Sequence, residues 1–449
     1  MADIDNRQRP NVLLVVTNQQ RWDTVGAYGS PMELTPTLDD LAAGGTRLAQ
    51  AITPQPLSGP SMAALQTGKY ATETGVWRNS LPLDDERTLA HHFRNAGYSV
   101  GFVGSWHIAG TFDEPVPTEQ RGGYEDFWIA ADVPEFTTSP EGGTLYDVND
   151  EPVEFERYRT DAFTEFAEEA LTSLSEPFFL VVSYLEPHQQ NDMWRFVAPD
   201  GYAAYYRQNP YIPPDLQRRP GEWYRELPDY YGMCKRLDEC FDRLLTSLER
   251  EANRENTIIT YTSDHGCHFR TRPGEYKRTC HESAVRVPAV LSGPQFDQGV
   301  TIDRVTSLLD LPPTLLDAAG IEIPAEMHGV SLLTDIEHDR TANRNSAFVQ
   351  ISEAEIGRAI RTDRWKYAVS APTMNGWRGG NGDPNSDVYL ERYLYDLNRD
   401  PGELVNLVGR SDYRDVADRL RERLREYIQS VEKEDPEIRA FENPGYRDF

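Results

Sequence analysis

The feature of this sequence that most constrains its fold is a short apolar run that keeps returning between helical patterns. Residues 11–17, "NVLLVVT", are apolar through their centre with no alternating polar positions, which is typical of a strand buried on both faces. Comparable runs, "SVGFVGS", "FFLVVS" and "TIITYTS", each follow a segment that predicts a helix. Strands that alternate with helices predict an α/β fold in which a mostly parallel central sheet has helices on both faces.

The pattern changes after about residue 340. The stretch "SAFVQISEAEIGRAIRTDRWKYAVS" alternates over short distances, which predicts antiparallel strands. The later stretch "DVADRLRERLREYIQSVEK" predicts a closing amphipathic helix. We therefore expect an α/β domain over residues 1–340 and a small α+β subdomain over residues 341–449.

The charge of the chain excludes some partners. Its net charge is −28, from 73 acidic and 45 basic residues, and only five of the basic residues are lysines. Because a nucleic-acid partner needs a basic surface, we expect none. Such acidity with so few lysines favours a halophilic source, where salt screens the repulsion between carboxylates.

The start of the chain, "MADIDNRQRP", is polar and lacks the basic and apolar regions of a secretory signal. No stretch of the sequence comes near the roughly 20 apolar residues that a membrane-spanning helix needs. The sequence therefore predicts a cytoplasmic protein that does not span a membrane.

Polar clusters directly follow four of the predicted strands. They are residues 18–21 ("NQQR"), 105–107 ("SWH"), 186–188 ("EPH") and 263–266 ("SDHG"). Each cluster taken alone could be no more than the polar cap of a strand. Because ligands of open α/β sheets bind beyond the carboxyl ends of the strands, four clusters at equivalent places predict one shared site.

Two further segments contain residues that could act in catalysis or binding. They are "PLSGPSMAALQTGKY", which contains Ser58, and "GEYKRTCHESAVRVPAVLSGP", which contains Lys277. Together with "NVLLVVTNQQRWDTVGAYG", "GYSVGFVGSWHIAG", "TSDHG" and "LYDLNRDPGELVNL", they resemble in order the motifs of the sulfatase family of the alkaline-phosphatase superfamily. The resemblance implies a sulfatase-like sandwich with a small C-terminal subdomain. Within the family the chain resembles haloarchaeal sulfatase-like proteins linked to low-salt N-glycan sulfation.

The resemblance also implies roles for particular residues. In the family, a formylglycine made from Cys or Ser attacks sulfur, a calcium or magnesium ion draws charge from the sulfate oxygens, and Lys and His residues neutralise the remainder. Carried over by position, the catalytic residues are Ser58, Lys277, His107, His188 and His281; the substrate contacts are Lys277, His188 and Gln20; the metal positions are Asp264, His265, Asn18 and Gln19.

At four positions the sequence departs from the family pattern. Met62 replaces the arginine of the nucleophile motif, Ser105 replaces a lysine, and Asn18 and Gln19 stand where members carry aspartates. Because Met62 breaks the maturation motif, we expect Ser58 to remain an unmodified serine. Because a hard cation prefers anionic oxygens, we expect calcium or magnesium to bind weakly or not at all.

Three functional hypotheses follow. The first is sulfuryl transfer, a sulfotransferase-like role on a sulfated carbohydrate or lipid-linked glycan, in the assembly of a cell-surface N-linked glycan of a halophilic archaeon. The second is hydrolysis of a sulfuric or phosphoric monoester with Ser58 as the nucleophile. The third is non-catalytic binding of a sulfated glycan. Release of sulfate from an ester separates the second hypothesis from the other two.

Overall fold

The fold is described from a computed structural model, which covers residues 9–296, 299–333, 345–372 and 383–441. In that part of the chain, twelve strands form the main sheet. They are β1 (Asn11–Thr17), β2 (Thr46–Ile52), β3 (Ser99–Ser105), β4 (Phe127–Ala131), β5 (Thr138–Ser139), β6 (Gly142–Asp147), β7 (Pro152–Phe155), β8 (Phe178–Ser183), β9 (Thr257–Ser263), β10 (Arg286–Val287), β11 (Ala289–Ser292) and β12 (Val300–Ser307).

Parallel pairing dominates the centre of this sheet. The strand order is β10-β2-β11-β9-β1-β8-β3-β4-β6-β5, with β12 beside β2 and β7 beside β6. Strands β9, β1, β8, β3 and β4 run parallel to one another, and antiparallel pairs lie toward the two ends. The predicted mostly parallel central sheet is confirmed.

Strand β1 shows why this sheet needs helices on both faces. All of its residues are buried. Leu13 and Val15 pack in one apolar core, and Val12, Leu14 and Val16 pack in another on the opposite face. A strand with a core on each side has to be apolar along its length, which is the pattern that the sequence carries.

Helices cover the two faces. Ordered along the chain, they are α1 (Pro36–Gly44), α2 (Ser58–Thr67), α3 (Ala71–Thr74), α4 (Leu89–Asn95), α5 (Pro134–Thr137), α6 (Arg159–Ser173), α7 (Tyr202–Arg207), α8 (Pro214–Gln217), α9 (Trp223–Glu251), α10 (Glu282–Val285), α11 (Leu311–Ala318) and α12 (Arg414–Glu432). Helices α6 and α9 pack on one face, and α2, α4 and α11 pack on the other. Among the described residues, no helix is both long and apolar enough to cross a membrane.

A second sheet follows, with strands in the order of the chain: β13 (Ser346–Ile351), β14 (Gly357–Thr362), β15 (Trp365–Ser370), β16 (Val388–Asp396) and β17 (Glu437–Arg439). Strands β13 to β16 are antiparallel, as predicted. One face of this sheet packs on the main domain, where Val349 meets Ile52, and α12 covers the other through Leu424 and Ile428. The predicted domain boundary at residue 340 lies outside the described residues, and the division at that point stays a prediction.

Candidate active site

The carboxyl ends of four neighbouring strands meet at one edge of the main sheet. Strands β9, β1, β8 and β3 are adjacent in that order, so the residues that follow them are neighbours in space. The backbone N–H of Gln19, after β1, donates to Asp264 Oδ1, after β9, over 2.8 Å. The Asn18 amide nitrogen lies 3.2 Å from Nε2 of His107, after β3. The structure thus brings the predicted strand-end residues together.

Ser58 lies at the centre of this edge as the first residue of α2, a helix that is buried along its whole length. Its Oγ accepts a hydrogen bond from Asn18 Nδ2 at 3.1 Å and another from Lys277 Nζ at 3.2 Å. The same oxygen lies 3.2 Å from His265 Nε2. Because the N-terminus of a helix favours negative charge, this position suits a nucleophile or the oxygens of an anion bound to it.

The ammonium group of Lys277 joins Ser58 to two histidines. Its Nζ lies 3.1 Å from Nε2 of His188 and 3.1 Å from Nε2 of His265. Nδ1 of each histidine faces the carbonyl oxygen of the next residue, at 2.7 Å for His188 and 3.0 Å for His265. A carbonyl oxygen can only accept, so each Nδ1 carries the proton and each Nε2 is an acceptor. Ser58 Oγ and the two Nε2 atoms are thus acceptors within reach of Lys277, and the single lone pair of His265 Nε2 can accept either from Lys277 or from the Ser58 hydroxyl.

This tautomer supplies the Ser58 hydroxyl with a base. Because Ser58 Oγ accepts from Asn18 and Lys277, its own proton can be donated to His265 Nε2. The carbonyl of Gly266 fixes the orientation of the imidazole ring. A hydroxyl donor, an imidazole acceptor and a group that orients the imidazole are the parts of an activated nucleophile.

Burial dominates the electrostatics of the cluster. It lowers the pKa of Lys277 to about 8 and the pKa of His107 to about 4. It raises the pKa of Asp264 to about 7, although the nearby ammonium of Lys277 opposes that rise. Burial and then the Lys277 charge hold the pKa of His188 and of His265 well below the usual value. At neutral pH the histidines are therefore neutral and Lys277 carries the positive charge.

Two predicted site residues lie elsewhere. Gln20, predicted to contact substrate, uses its amide inside the fold, where Oε1 accepts from Thr17 Oγ1 at 3.0 Å and from the Tyr261 hydroxyl at 2.8 Å. His281, predicted with the catalytic residues, places Nε2 3.2 Å from the Tyr395 hydroxyl and lines a separate cavity. The structure thus does not place these two side chains beside Ser58, and the roles predicted for them stay predictions. Gln20 satisfies buried polar groups between strands, and His281 lies past Lys277, on the side of its loop that faces the second sheet.

The structure also places two of the departures from the family pattern. Met62 is buried in the apolar core beneath α2, so its side chain brings no charge to the site. Ser105 ends β3, and its buried hydroxyl has no hydrogen-bond partner within the described ranges. The cluster around Ser58 thus contains neither of the two cations that the family resemblance would place at these positions.

Glu135, in α5, is a neighbour of the cluster that no motif predicted. Its Oε1 lies 3.7 Å from His188 Nδ1, and burial raises its pKa. Glu186, after β8, lies in the same region and forms a buried ion pair with Arg159 at 2.8 Å. The polar cluster after β8 was the only sequence signal for Glu186. No sequence signal in or near α5 marked Glu135 as a residue of the site.

The residues at the family's metal positions do not fit a tight calcium or magnesium site. Asp264 is their only carboxylate, and its Oδ1 already accepts the backbone N–H groups of Gln19 and His265, at 2.8 and 2.7 Å. Asn18 turns the donor end of its amide toward Ser58. The Lys277 ammonium adds a positive charge among these atoms, whereas a hard dication prefers several anionic oxygens.

No group of three or more His, Cys, Asp and Glu side chains that could hold a metal ion occurs in the described part of the chain. One feature leaves room for a cation: the buried Oε1 of Gln19 has no hydrogen-bond partner there. Weak binding of calcium or magnesium stays a prediction.

We expect Asn18→Asp to tighten calcium binding by roughly tenfold or more, because it adds an anionic oxygen beside Asp264. Calorimetric titration with calcium measures this, and Asn149→Asp, which adds the same charge on an exposed turn, is the matched control. Equal calcium affinity in the parent and in Asn18→Asp would contradict the assignment of this position.

Comparison with known proteins identifies the family. A family model described as Sulfatase matches residues 10–321, and one described as N-sulphoglucosamine sulphohydrolase, C-terminal, matches residues 274–430. Fold and site define an α/β protein of the alkaline-phosphatase-like class. The chain belongs to the sulfatase family, which confirms the family resemblance of its motifs. The resemblance to haloarchaeal members stays a prediction.

Relatives align over almost the whole chain. The Ulvan-active sulfatase of Formosa agariphila is 28% identical over 95% of this chain and 82% of its own. The N-acetylglucosamine-6-O-sulfatase of Bacteroides thetaiotaomicron is 24% identical over 96% of this chain and 88% of its own. The solved structure of the putative sulfatase yidJ from Bacteroides fragilis has a TM-score of 0.79 at 24% identity, covering 96% of this chain and 97% of that one. That structural likeness shows the fold.

Proposed function

We propose that the protein cleaves the sulfate ester of a sulfated carbohydrate and that Ser58 receives the sulfuryl group. The observation that carries the proposal is the position of Ser58 Oγ, 3.2 Å from both His265 Nε2 and Lys277 Nζ at the start of α2. A base, a cation and a helix N-terminus around one hydroxyl suit attack on a centre whose oxygens carry negative charge.

The bond changes balance with the sulfate ester and one acceptor hydroxyl as the only reactants. Ser58 Oγ bonds to sulfur while the ester S–O bond breaks. The proton of Ser58 passes to His265 Nε2 and from there to the departing alkoxide. Lys277 neutralises the sulfuryl oxygens during both steps. An acceptor hydroxyl then gives its proton to His265 and attacks sulfur. The bond between sulfur and Ser58 Oγ breaks, and His265 returns that proton to Ser58 Oγ.

An unmodified serine restricts how the sulfuryl group can leave. A hydrated formylglycine has a second hydroxyl that can lose its proton and re-form the aldehyde as the carbon–oxygen bond to sulfate breaks, and a serine has no such hydroxyl. Sulfated Ser58 must therefore be resolved by attack at sulfur. His265 is close enough to Ser58 Oγ to serve as the base in that step also.

Support for a carbohydrate comes from relatives and from the surface near the cluster. The relatives include an N-acetylglucosamine-6-O-sulfatase and a Delta 4,5-hexuronate-2-O-sulfatase. Phe136, next to Glu135, is exposed and meets Phe112 edge to face. Trp194, six residues after His188, is also exposed. Exposed aromatic rings beside a polar cluster suit the binding of sugar rings.

Two molecules are candidates for the acceptor that takes the sulfuryl group from Ser58. Water is the favoured candidate, which makes the reaction a hydrolysis, because the relatives are named as sulfatases. The second candidate is transfer to a carbohydrate or lipid-linked glycan, as in N-linked glycan assembly in the cytoplasm of a halophilic archaeon. Its support is the unmodified Ser58 that the motif predicts and the acidic, lysine-poor composition.

One assay separates these outcomes. The purified protein is incubated with 6-O-sulfated glucosamine, a sulfated hexuronate disaccharide and a phosphate monoester, with and without an unsulfated sugar. Ion chromatography measures free sulfate and phosphate, and mass spectrometry measures sulfated acceptor. We expect free sulfate for hydrolysis and sulfated acceptor for transfer. Binding of the sulfated sugars without either product would contradict an enzymatic role and favour a glycan-binding protein.

We expect the peptide that contains Ser58 to have the mass of an unmodified serine when the protein is made in its own host. The reason is that Met62, buried in the core, cannot present the arginine that the maturation motif requires. Mass spectrometry of the digested protein measures this. A peptide lighter by two hydrogens, or one trapped by an aldehyde reagent, would contradict it.

A further inference from the structure

A cavity lies on the far side of the loop that carries Lys277. It has a volume of about 410 Å³ and lies between that loop, the second sheet and the segment before α9. Four arginines line it: Arg219, Arg272, Arg278 and Arg392. Because the protein as a whole has a net charge of −28, four guanidinium groups around one cavity are a local concentration of positive charge.

Two of these arginines donate hydrogen bonds to backbone carbonyl oxygens and not to carboxylates. Arg272 donates from Nη1 to the carbonyl of Glu403 and from Nη2 to the carbonyl of Gly402, each at 2.9 Å. Arg219 donates from Nη2 to the carbonyl of Glu403 at 3.1 Å. In the described ranges neither forms an ion pair, and Nε of each is buried without a partner. Burial and the adjacent Arg272 charge lower the pKa of Arg219, as two unneutralised cations would.

Two further groups in the lining lack partners. Thr279 is 4% exposed and His281 is 2% exposed, and neither Thr279 Oγ1 nor His281 Nδ1 has a hydrogen-bond partner in the portion of the chain described. When the Tyr395 hydroxyl donates to His281 Nε2, the neutral ring carries its proton on Nδ1. Buried donors without acceptors are costly, so their accumulation in one cavity indicates an absent acceptor.

The other two arginines complete the cavity differently. Arg278 is neutralised by Glu275 and Glu353 and closes one wall. Arg392 is exposed at the rim, where it stacks over Tyr393. Glu355 is the one acidic side chain in the lining, and burial raises its pKa. Arg219, Arg272 and Arg392 thus form no ion pair within the described ranges, although a hydrogen bond to Tyr393 and the nearby Glu355 carboxylate raise the pKa of Arg392.

We propose that this cavity binds a tetrahedral oxyanion, a sulfate or phosphate group, between Arg219, Arg272 and Arg392, with Thr279 and His281 as additional donors. Guanidinium groups match the oxygens of such anions in geometry and charge. The site is separate from the Ser58 cluster, because the lining of the cavity contains none of Ser58, His188, His265 and Lys277. The anion is either a free ion or a second charged group of a carbohydrate.

The test is calorimetric titration of the full chain with sulfate, with phosphate and with a disulfated glucosamine, at constant ionic strength because salt screens such contacts. We expect Thr279→Val and Arg392→Gln each to weaken binding of the free ions by about ten- to a hundredfold. Neither change removes a hydrogen bond that holds the backbone. Arg399→Gln, on an exposed turn, is the matched control and leaves the affinity unchanged. Lys277→Met also leaves it unchanged.

Two results would overturn the proposal: no binding at high millimolar ion, or binding that is lost in Lys277→Met and kept in Thr279→Val and Arg392→Gln. In the second case the ion binds at Ser58. If the free ions bind as tightly as the disulfated sugar, the site takes a free anion. If the sugar binds more tightly and Arg392→Gln removes that advantage, the site takes a charged group of a carbohydrate. Because the titration measures ion binding directly, its result does not depend on whether the protein cleaves a sulfate ester.

Discussion

Ser58→Ala is expected to abolish cleavage of the sulfate ester, with a loss of roughly 10⁴-fold or more in kcat. The substitution removes the oxygen that receives the sulfuryl group and leaves Lys277, His188 and His265 in place. The change deletes one buried hydroxyl, so we expect the protein to fold as before. The measurement is the initial rate of sulfate release or transfer, together with the thermal unfolding temperature.

Ser283→Ala is the matched control for this result. Ser283 lies in α10, and its buried hydroxyl has no hydrogen-bond partner among the residues described, so removing it should change neither rate nor stability. If Ser58→Ala keeps a tenth of the parent activity, Ser58 is not the group that reacts, and the proposed function is wrong in its central residue.

Lys277→Met is expected to lower kcat by roughly 10²- to 10³-fold, the usual effect of removing one group that stabilises charge in the transition state. Lys277 is the only cation that hydrogen-bonds Ser58 in the described structure. Methionine has a similar length and carries no charge. Lys69→Met, at a partly exposed ion pair with Glu86, is the control and should keep the parent rate.

The same substitution should not lower stability, which separates lost chemistry from lost folding. Because the pKa of Lys277 is lowered to about 8, burying its charged form costs on the order of 3 kcal/mol near neutral pH. That cost disappears as pH rises from about 8 toward the value for an unfolded lysine. The parent should therefore gain stability between pH 8 and pH 10, and Lys277→Met should gain much less. A large fall in unfolding temperature at neutral pH in Lys277→Met would contradict this account.

Much of the fold and part of the site could be predicted from the sequence. Continuous apolar runs such as that in β1 predicted strands that are buried on both faces. Burial on both faces in turn predicted a parallel sheet with helices on each side. Strand ends of a parallel sheet share an edge, so Asn18, His107, His188 and Asp264 could be expected to meet before their contacts were known.

Residues beyond the strand ends were harder to place, because loop direction depends on packing that no local pattern records. His281 is four residues after Lys277, yet the turn directs it to Tyr395 and the arginine-lined cavity. Gln20 adjoins the site in sequence, but its amide is held by Thr17 and Tyr261. Arg219 and His281 line one cavity although α9 and β9 separate them in the sequence, and only the tertiary fold brings them together.

The most direct test of the central claim is the mass of the Ser58 peptide during turnover. The protein is mixed with a sulfated glucosamine, quenched within the first turnover, digested and analysed by mass spectrometry. We expect a fraction of the peptide to be heavier by one SO₃ group, located on Ser58 by fragmentation and absent in Ser58→Ala. If the ester is consumed while the peptide keeps the mass of an unmodified serine at every quench time, Ser58 does not receive the sulfuryl group.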